Sequence, residues 1–224
     1  MKPLTDAHFA ILRRHMVELI DIEFDLLSEE IGHPALDPRV RDALLAVPRH
    51  RFVPDQFAAV AYENSPLPIG FDKTISQPFI VALMTELLGL EPGDSVLEVG
   101  TGLGYQTAVL ARLAAQVWSV EVVEEFAGIA DARLIELGHD NVAIRIGDGS
   151  RGWAEAAPFD AILVCAAART IPEALAEQLD PDGGRLVMPL GVPGAQRLVA
   201  AVRQGDELTL REVMAVQFTQ LETV

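Results

Sequence analysis

The chain of 224 residues has one cysteine, Cys165, two lysines, Lys2 and Lys73, and only 6% aromatic residues. A single thiol excludes an internal disulfide framework and any zinc cluster built on thiolates. The five histidines, His8, His15, His33, His50 and His139, are scattered, and none stands beside a glutamate at the i, i+4 spacing of a metal-binding helix. No metal is therefore expected. No run of about 18 apolar residues occurs, and no apolar stretch follows a basic N-terminal segment. These absences predict a soluble, cytoplasmic protein.

What is present is acid. Thirty-three acidic residues against 17 basic ones give a net charge of −16. Such a surface repels phosphate backbones and anionic headgroups, which argues against nucleic acid and membranes as partners. Half the residues are apolar, enough for one large domain, with or without a small appendage.

Between Asp6 and Glu30, Phe9, Leu12, Met16, Leu19, Ile20, Phe24 and Leu27 recur at steps of three and four, which predicts an amphipathic helix broken at most once. Asp37-Pro38 starts a second helix over Pro38–Ala46, and a third is expected over Gln77–Leu88. Between them lies a stretch punctuated by Pro48, Pro54, Pro66 and Pro68 that reads as loop. After Pro92-Gly93 the pattern changes. Ser95–Val99, Val117–Val122, Val142–Ile146, Ala161–Cys165 and Arg185–Leu190 read as buried strands, with helices over Gly104–Ala115, Glu124–Leu137 and Ile171–Leu179. Near-continuous apolar strands alternating with helices predict an α/β fold with a doubly wound, mostly parallel sheet. Gln196–Arg203 and Glu207–Gln217 add an antiparallel C-terminal hairpin, and the first sixty residues a helical N-terminal extension.

Val99-Gly100-Thr101-Gly102-Leu103-Gly104 ends the first of these strands and opens a helix. Glycines there permit a tight turn and close approach of a ligand. The spacing G-x-G-x-G departs from the dinucleotide fingerprint. Glu98 lies in an apolar strand end, where a carboxylate needs a partner such as a ligand ammonium. Glu121 ends the second strand, where a carboxylate can accept ribose hydroxyls. Gly147-Asp148-Gly149 follows the third strand. Three carboxylates and no basic residue disfavour a pyrophosphate and suit a nucleoside with a cationic amino acid tail, S-adenosylmethionine.

With these residues in view, the chain resembles the protein-L-isoaspartate O-methyltransferase family, from about Met16 to Gly191. The match rests on Val47-Pro48-Arg49-His50-Arg51-Phe52-Val53-Pro54, Leu67-Pro68-Ile69-Gly70, Thr74-Ile75-Ser76-Gln77-Pro78 and Leu97-Glu98-Val99-Gly100-Thr101-Gly102. It continues through Gly147-Asp148-Gly149, Trp153, Ala157-Pro158-Phe159-Asp160-Ala161-Ile162 and Ala166-Ala167-Ala168. The element Thr-Ile-Ser-x-Pro is the most specific, since generic methyltransferases lack it. The resemblance implies a seven-stranded Rossmann-like methyltransferase sheet. It also implies methyl transfer from S-adenosylmethionine, leaving S-adenosylhomocysteine, to the free α-carboxylate of L-isoaspartyl residues in damaged proteins and peptides.

By the same matching, Ser76 stands beside the reacting carboxylate and Thr74 and Ile75 line the cofactor pocket. Gly100, Gly102 and Gly104 cradle the methionine portion, Glu121 and Val122 flank ribose and adenine, and Asp148 and Gly149 meet the adenine edge. Residues 1–78 would form an extension and cap, and residues 79–224 the cofactor-binding core. Other readings stay open. Ser76 also reads as a cap for the helix at Pro78; Cys165 and Trp153 read as packing; Arg49-His50-Arg51 reads as a solvated or carboxylate-paired turn, or as a lure for the substrate carboxylate. Leu103 stands where many relatives carry a small polar residue, and the acidic stretch Asp21–Glu30 makes the N-terminal extension longer than usual. The tail Gln217–Val224 is shorter than the Val-Pro-Leu-like tail that helps close the pocket in many relatives. These keep alive a carboxyl methyltransferase with a dedicated peptide or small-molecule substrate; a reading from another class is a non-catalytic S-adenosylmethionine-binding module.

Overall fold

The computed structural model describes residues 4–32 and 34–223; Lys2 and His33 lie outside them. The expected N-terminal helix is α1, Asp6–Leu26, broken at Leu27 before the short α2, Ser28–Ile31. Helix α3, Pro38–Ala46, is capped by Asp37, whose side chain accepts from Arg39 N at 2.7 Å. Met16, Val17, Ile20 and Phe24 form the buried face of α1, which packs on α3 and on α4, Pro78–Leu88. Phe24 meets Phe79 edge-on at 5.6 Å.

The stretch expected to be loop holds a two-stranded antiparallel hairpin, β1 Leu67–Gly70 and β2 Lys73–Ile75. Its turn, Phe71-Asp72, puts two non-glycine residues at positive φ, 49° and 54°. A turn of this hand is normally announced by Asn-Gly or Asp-Gly, and Phe-Asp carries no such signal.

The remaining elements build the expected sheet of seven strands, in the order β5-β4-β3-β6-β7-β8-β9. Strands β3 (Ser95–Val99), β4 (Gln116–Glu121), β5 (Val142–Ile146), β6 (Ala161–Val164) and β7 (Asp182–Val192) run parallel. Strands β8 (Ala195–Gln204) and β9 (Glu207–Val216) continue antiparallel from β7, so the C-terminal hairpin is the end of a three-stranded meander. Helices α5 (Tyr105–Ala111), α6 (Glu124–Glu136) and α7 (Glu173–Gln178) make the crossovers.

Two helices are shorter than their apolar pattern. Asn141 Nδ2 donates to the carbonyls of Ala111 and Ala114, at 2.9 and 3.1 Å, and closes α5 early. Pro172 is extended at the N-cap of α7 and delays its start. Chain order reverses between β3 and β6, and the crevice beyond their C-terminal ends is where an open α/β sheet binds its ligands.

Asn64 joins the helical layer to this crevice. Its Oδ1 accepts from Phe79 N at 3.1 Å, in the first turn of α4, while its Nδ2 donates to Glu23 Oε2 of α1 at 2.6 Å. Asn64→Ala removes a side-chain cap and a charge-assisted hydrogen bond together. The expected loss is about 1–2 kcal/mol of unfolding free energy, checked by urea denaturation at constant m.

Candidate active site

Beyond the ends of β3 and β4 lies a cleft of about 880 Å³, walled by the glycine loop, the β1–β2 hairpin, the start of α6 and the C-terminal tail. Lys73, Glu121 and Glu222 are the charged residues of its wall. A second groove, of about 1160 Å³, shares Thr74, Ser76, Cys165 and Thr219 with the first and runs out between α1, α4 and the end of β9. The protein thus has two cavities meeting at Ser76.

Of the residues expected from the sequence, Thr74, Ile75, Ser76, Gly100, Gly102, Glu121, Val122 and Gly149 line the first cleft. Gly100 and Gly102 have φ of 94° and 56°, which favours glycine. A side chain on Gly149 would collide with Val99. The Glu121 carboxylate, itself buried, accepts from Gly102 N at 2.7 Å and from Val123 N at 2.9 Å. It pins the glycine loop to the end of β4, and each oxygen keeps a further lone pair for a hydroxyl.

Glu98, Gly104 and Asp148 do not line the cleft. Glu98, expected to face a ligand ammonium, is fully buried beneath the loop, where Thr107 Oγ1 and Ser119 Oγ donate to its Oε2 at 2.5 and 2.6 Å. Ser119 Oγ also meets Thr101 Oγ1 at 2.6 Å, so Glu98 supports the loop from behind. Its Oε1 has no partner among the described residues, and burial pushes the carboxyl up to about 8. Gly104 is the left-handed start of α5, and a Cβ there would lie 3.3 Å from that of Ala130 and 3.4 Å from Leu134, so its bareness lets α6 approach. Asp148 turns inward to Ser150, accepting from its N at 2.9 Å and its Oγ at 2.6 Å.

Ser76 does not cap α4. The N-cap is Gln77, the capping acceptor is Asn64, and Ser76 Oγ has no hydrogen-bond partner among the described residues. Its carbonyl is held instead, by Arg49 Nη2 at 2.7 Å. Arg49 is fully buried, donates also to Ala61 O at 2.8 Å, and lies 4.8 Å from the Tyr105 ring centroid. Burial lowers its pKa to about 10, and it remains cationic at neutral pH without forming an ion pair among the described residues. The Arg49-His50-Arg51 cluster therefore disperses. Only Arg51, paired with Glu136 at 2.7 Å, is the solvated turn expected, while His50 stacks on Phe9 at 3.9 Å and meets Tyr62 Oη at 2.8 Å.

Cys165, expected in the core of its strand, follows β6 and stands half-buried at the junction of the two cavities. Trp153 packs as expected, edge-on to Trp118 at 5.0 Å and under the Arg145 guanidinium at 4.0 Å. The tail reaches the site. Gln196 clamps Phe218 through both backbone groups, at 3.0 and 2.6 Å, and Ala167 exchanges hydrogen bonds with Thr219 O and Leu221 N at 2.8 and 2.7 Å. Thr219–Glu222 line the cleft, and Glu222 pairs with Lys73 across it. The tail thus lines the cleft with residues up to Glu222.

A carboxyl raised from 4.5 to about 8 makes the folded state bind a proton that the unfolded chain has already released. Stability from this group is therefore whole below about pH 4.5 and falls as pH rises towards 8. Glu98→Gln is expected to remove this component. Chemical denaturation from pH 5 to 8.5 should show a shallower decline for the variant, and a stability gain on the order of a few kcal/mol at the alkaline end.

The same architecture recurs in known proteins. Residues 23–223 match the family described as protein-L-isoaspartate(D-aspartate) O-methyltransferase. The chain is 48% identical over 220 residues to protein-L-isoaspartate O-methyltransferase 1 of Polaromonas sp. (strain JS666), covering 98% of this chain and 93% of that one. It is 56% identical over 186 residues to the Methylorubrum extorquens (strain PA1) protein-L-isoaspartate O-methyltransferase, covering 83% and 81%. Among solved structures, a protein-L-isoaspartate O-methyltransferase at 28% identity superposes with a TM-score of 0.79 over 93% of this chain and 65% of that longer one. A Plasmodium falciparum structure, described as a putative protein-L-isoaspartate O-methyltransferase in complex with S-adenosyl-L-homocysteine, shares the fold at 23% identity and a TM-score of 0.78, over 94% and 98%. The chain belongs to the protein-L-isoaspartate O-methyltransferase family, the S-adenosylmethionine-dependent carboxyl methyltransferases that act on isoaspartyl residues.

Proposed function

We propose that the junction at Ser76 is where the two ligands meet, S-adenosylmethionine in the 880 Å³ cleft and an isoaspartyl segment in the wider groove. The observation that carries this is the unpartnered Ser76 hydroxyl in the wall shared by both cavities. The cleft suits the cofactor. Gly100 and Gly102 leave room for the amino acid end, Glu121 offers acceptors to a diol, and the wall has more acid than base. When bound, S-adenosylmethionine supplies an electrophilic methyl on a cationic sulfur. Thr74, Ile75, Val122 and Gly149 complete its enclosure in this assignment.

The protein's own part is positioning. A carboxylate is ionised at neutral pH, so no general base is needed. Ser76 Oγ donates one hydrogen bond to it and fixes its angle of approach, which is where orientation accelerates a bimolecular step. Arg49 holds the backbone of Ser76 from behind and keeps that hydroxyl in place. The tail and the Lys73–Glu222 pair exclude water, and a drier site favours charges that neutralise each other as the reaction proceeds. Residues 1–78 act as cap and groove wall, and residues 79–224 as the cofactor core. Damaged proteins and peptides are the substrates, the setting is cytoplasmic, and no metal takes part.

Labelled methyl transfer to paired peptides that differ only in Asp against isoAsp tests this. Base-labile label is expected on the isoAsp peptide alone, and label on neither peptide refutes it. Ser76→Ala should lower kcat about 10–100-fold, the worth of a hydrogen bond to a charged group, and leave cofactor affinity within about twofold. Equal loss of both removes Ser76 from its role.

Glu121→Ala should act the other way. Cofactor affinity, read by calorimetry, is expected to weaken by about 1–3 kcal/mol, because the ribose acceptor and the tether on Gly102 are lost together.

A further inference from the structure

Helix α1 has a second apolar face. Opposite the buried Met16, Val17, Ile20 and Phe24, it presents Leu4, just before its start, with Ile11, Leu19, Ile22 and Leu26 to solvent, the last three at 50%, 54% and 75% exposure. With His15 they follow one another at helical spacing along a stripe about 30 Å long. Scattered exposed apolar residues are ordinary, but a continuous stripe on one helix marks an interaction surface. The family match begins at residue 23, so most of α1 lies outside the segment that defines the family.

Charge identifies the partner. The N-terminal half of α1 carries Asp6 in its first turn with Arg13 and Arg14 near the middle, and the C-terminal half Glu18, Asp21, Glu23 and Asp25. Asp21 is paired with Arg41, and Glu23 with Asn64, inside the chain. Arg14 and Glu18, exposed on one flank of the stripe, have no ion-pair partner among the described residues. On that flank the basic residue precedes the acidic one along the helix, an order complementary to its own reversed copy. The acidity of the whole chain disfavours an anionic lipid surface as the alternative.

We propose that two copies of this chain pair through the outer face of α1, antiparallel, about a two-fold axis at His15. In this register Leu4 faces Leu26 of the second copy, Ile11 faces Leu19, His8 faces Ile22, and His15 faces itself. A two-fold axis across two antiparallel helices brings the same flank of each together. Arg14 then lies within one turn of Glu18 of the second copy, twice over. Leu27 and Glu23, which line the substrate groove, are off the stripe, so pairing leaves the groove open.

Sedimentation velocity of the full chain from 1 to 100 µM tests this. The expected result is a concentration-dependent species of twice the 24.2 kDa chain mass. Ile22→Glu should raise the dimer dissociation constant at least tenfold with circular dichroism and methyl transfer unchanged. Arg14→Glu should weaken pairing, and adding Glu18→Arg in the same chain should restore it. Under mild oxidation His15→Cys should cross-link to its copy and Ile22→Cys should not. A monomer at 100 µM overturns the proposal, as does failure of the charge swap to restore pairing. Cross-linking of Ile22→Cys but not His15→Cys overturns the antiparallel register.

Discussion

The site depends on one carboxylate at the end of one strand. Glu121 accepts backbone hydrogen bonds from Gly102 on one side and Val123 on the other, so the glycine loop after β3 and the turn after β4 are tied to the same group. Without that tether, a loop with three glycines at positive φ would have many conformations of similar energy, and the cleft would have no fixed floor. The cost of burying Glu121 is offset by charge-assisted bonds from the backbone. In the proposed assignment the ribose of the cofactor takes the remaining lone pairs, so that binding and folding are coupled through the same two oxygen atoms.

A second acid works from below by being neutral. Glu98, fully buried with two hydroxyls on one oxygen, is held as a carboxylic acid up to about pH 8 by its surroundings. Neutrality lets it join the hydroxyl chain of Thr107, Ser119 and Thr101 at little cost in desolvation. The contrast with Glu121 is instructive. Both were legible in the sequence as acids at strand ends, and both lie on one face of the sheet, since Ser119 pairs with Glu98 and stands two residues before Glu121. They differ in height, Glu98 beneath the glycine loop and Glu121 at the last position of its strand. Sequence position alone gave each of them a ligand group as partner, an ammonium for Glu98 and ribose hydroxyls for Glu121.

Most of the sheet was legible because buried parallel strands are short apolar runs and their crossovers have helical period. The β1–β2 hairpin was not, since its Phe71-Asp72 turn lacks the residues that normally pay for positive φ. Within the site, the glycine loop and Glu121 were readable as local patterns, and the Thr-Ile-Ser element only through the family resemblance. Arg49 was not, because its neighbours His50 and Arg51 give it the look of a surface cluster, and only the fold shows it buried behind Ser76. Lys73 and Glu222, 149 residues apart, could be joined only by the structure.

Arg49 also explains why so sparse a site can be rigid. A buried guanidinium without a carboxylate is costly, and Lys in its place would keep the charge yet lose the planar fork that reaches Ala61 O and Ser76 O together. The charge therefore does more than hold two carbonyls. It stands behind Ser76, which in the proposed assignment meets an anionic substrate, in a part of the protein screened from water, where a positive potential persists over several ångströms. A carboxylate arriving at Ser76 feels that potential from one side and a cationic sulfur from the other. In the proposed assignment no acid or base is needed: the site selects an anion, fixes its direction with one hydroxyl, and leaves the reactivity to the charge it meets.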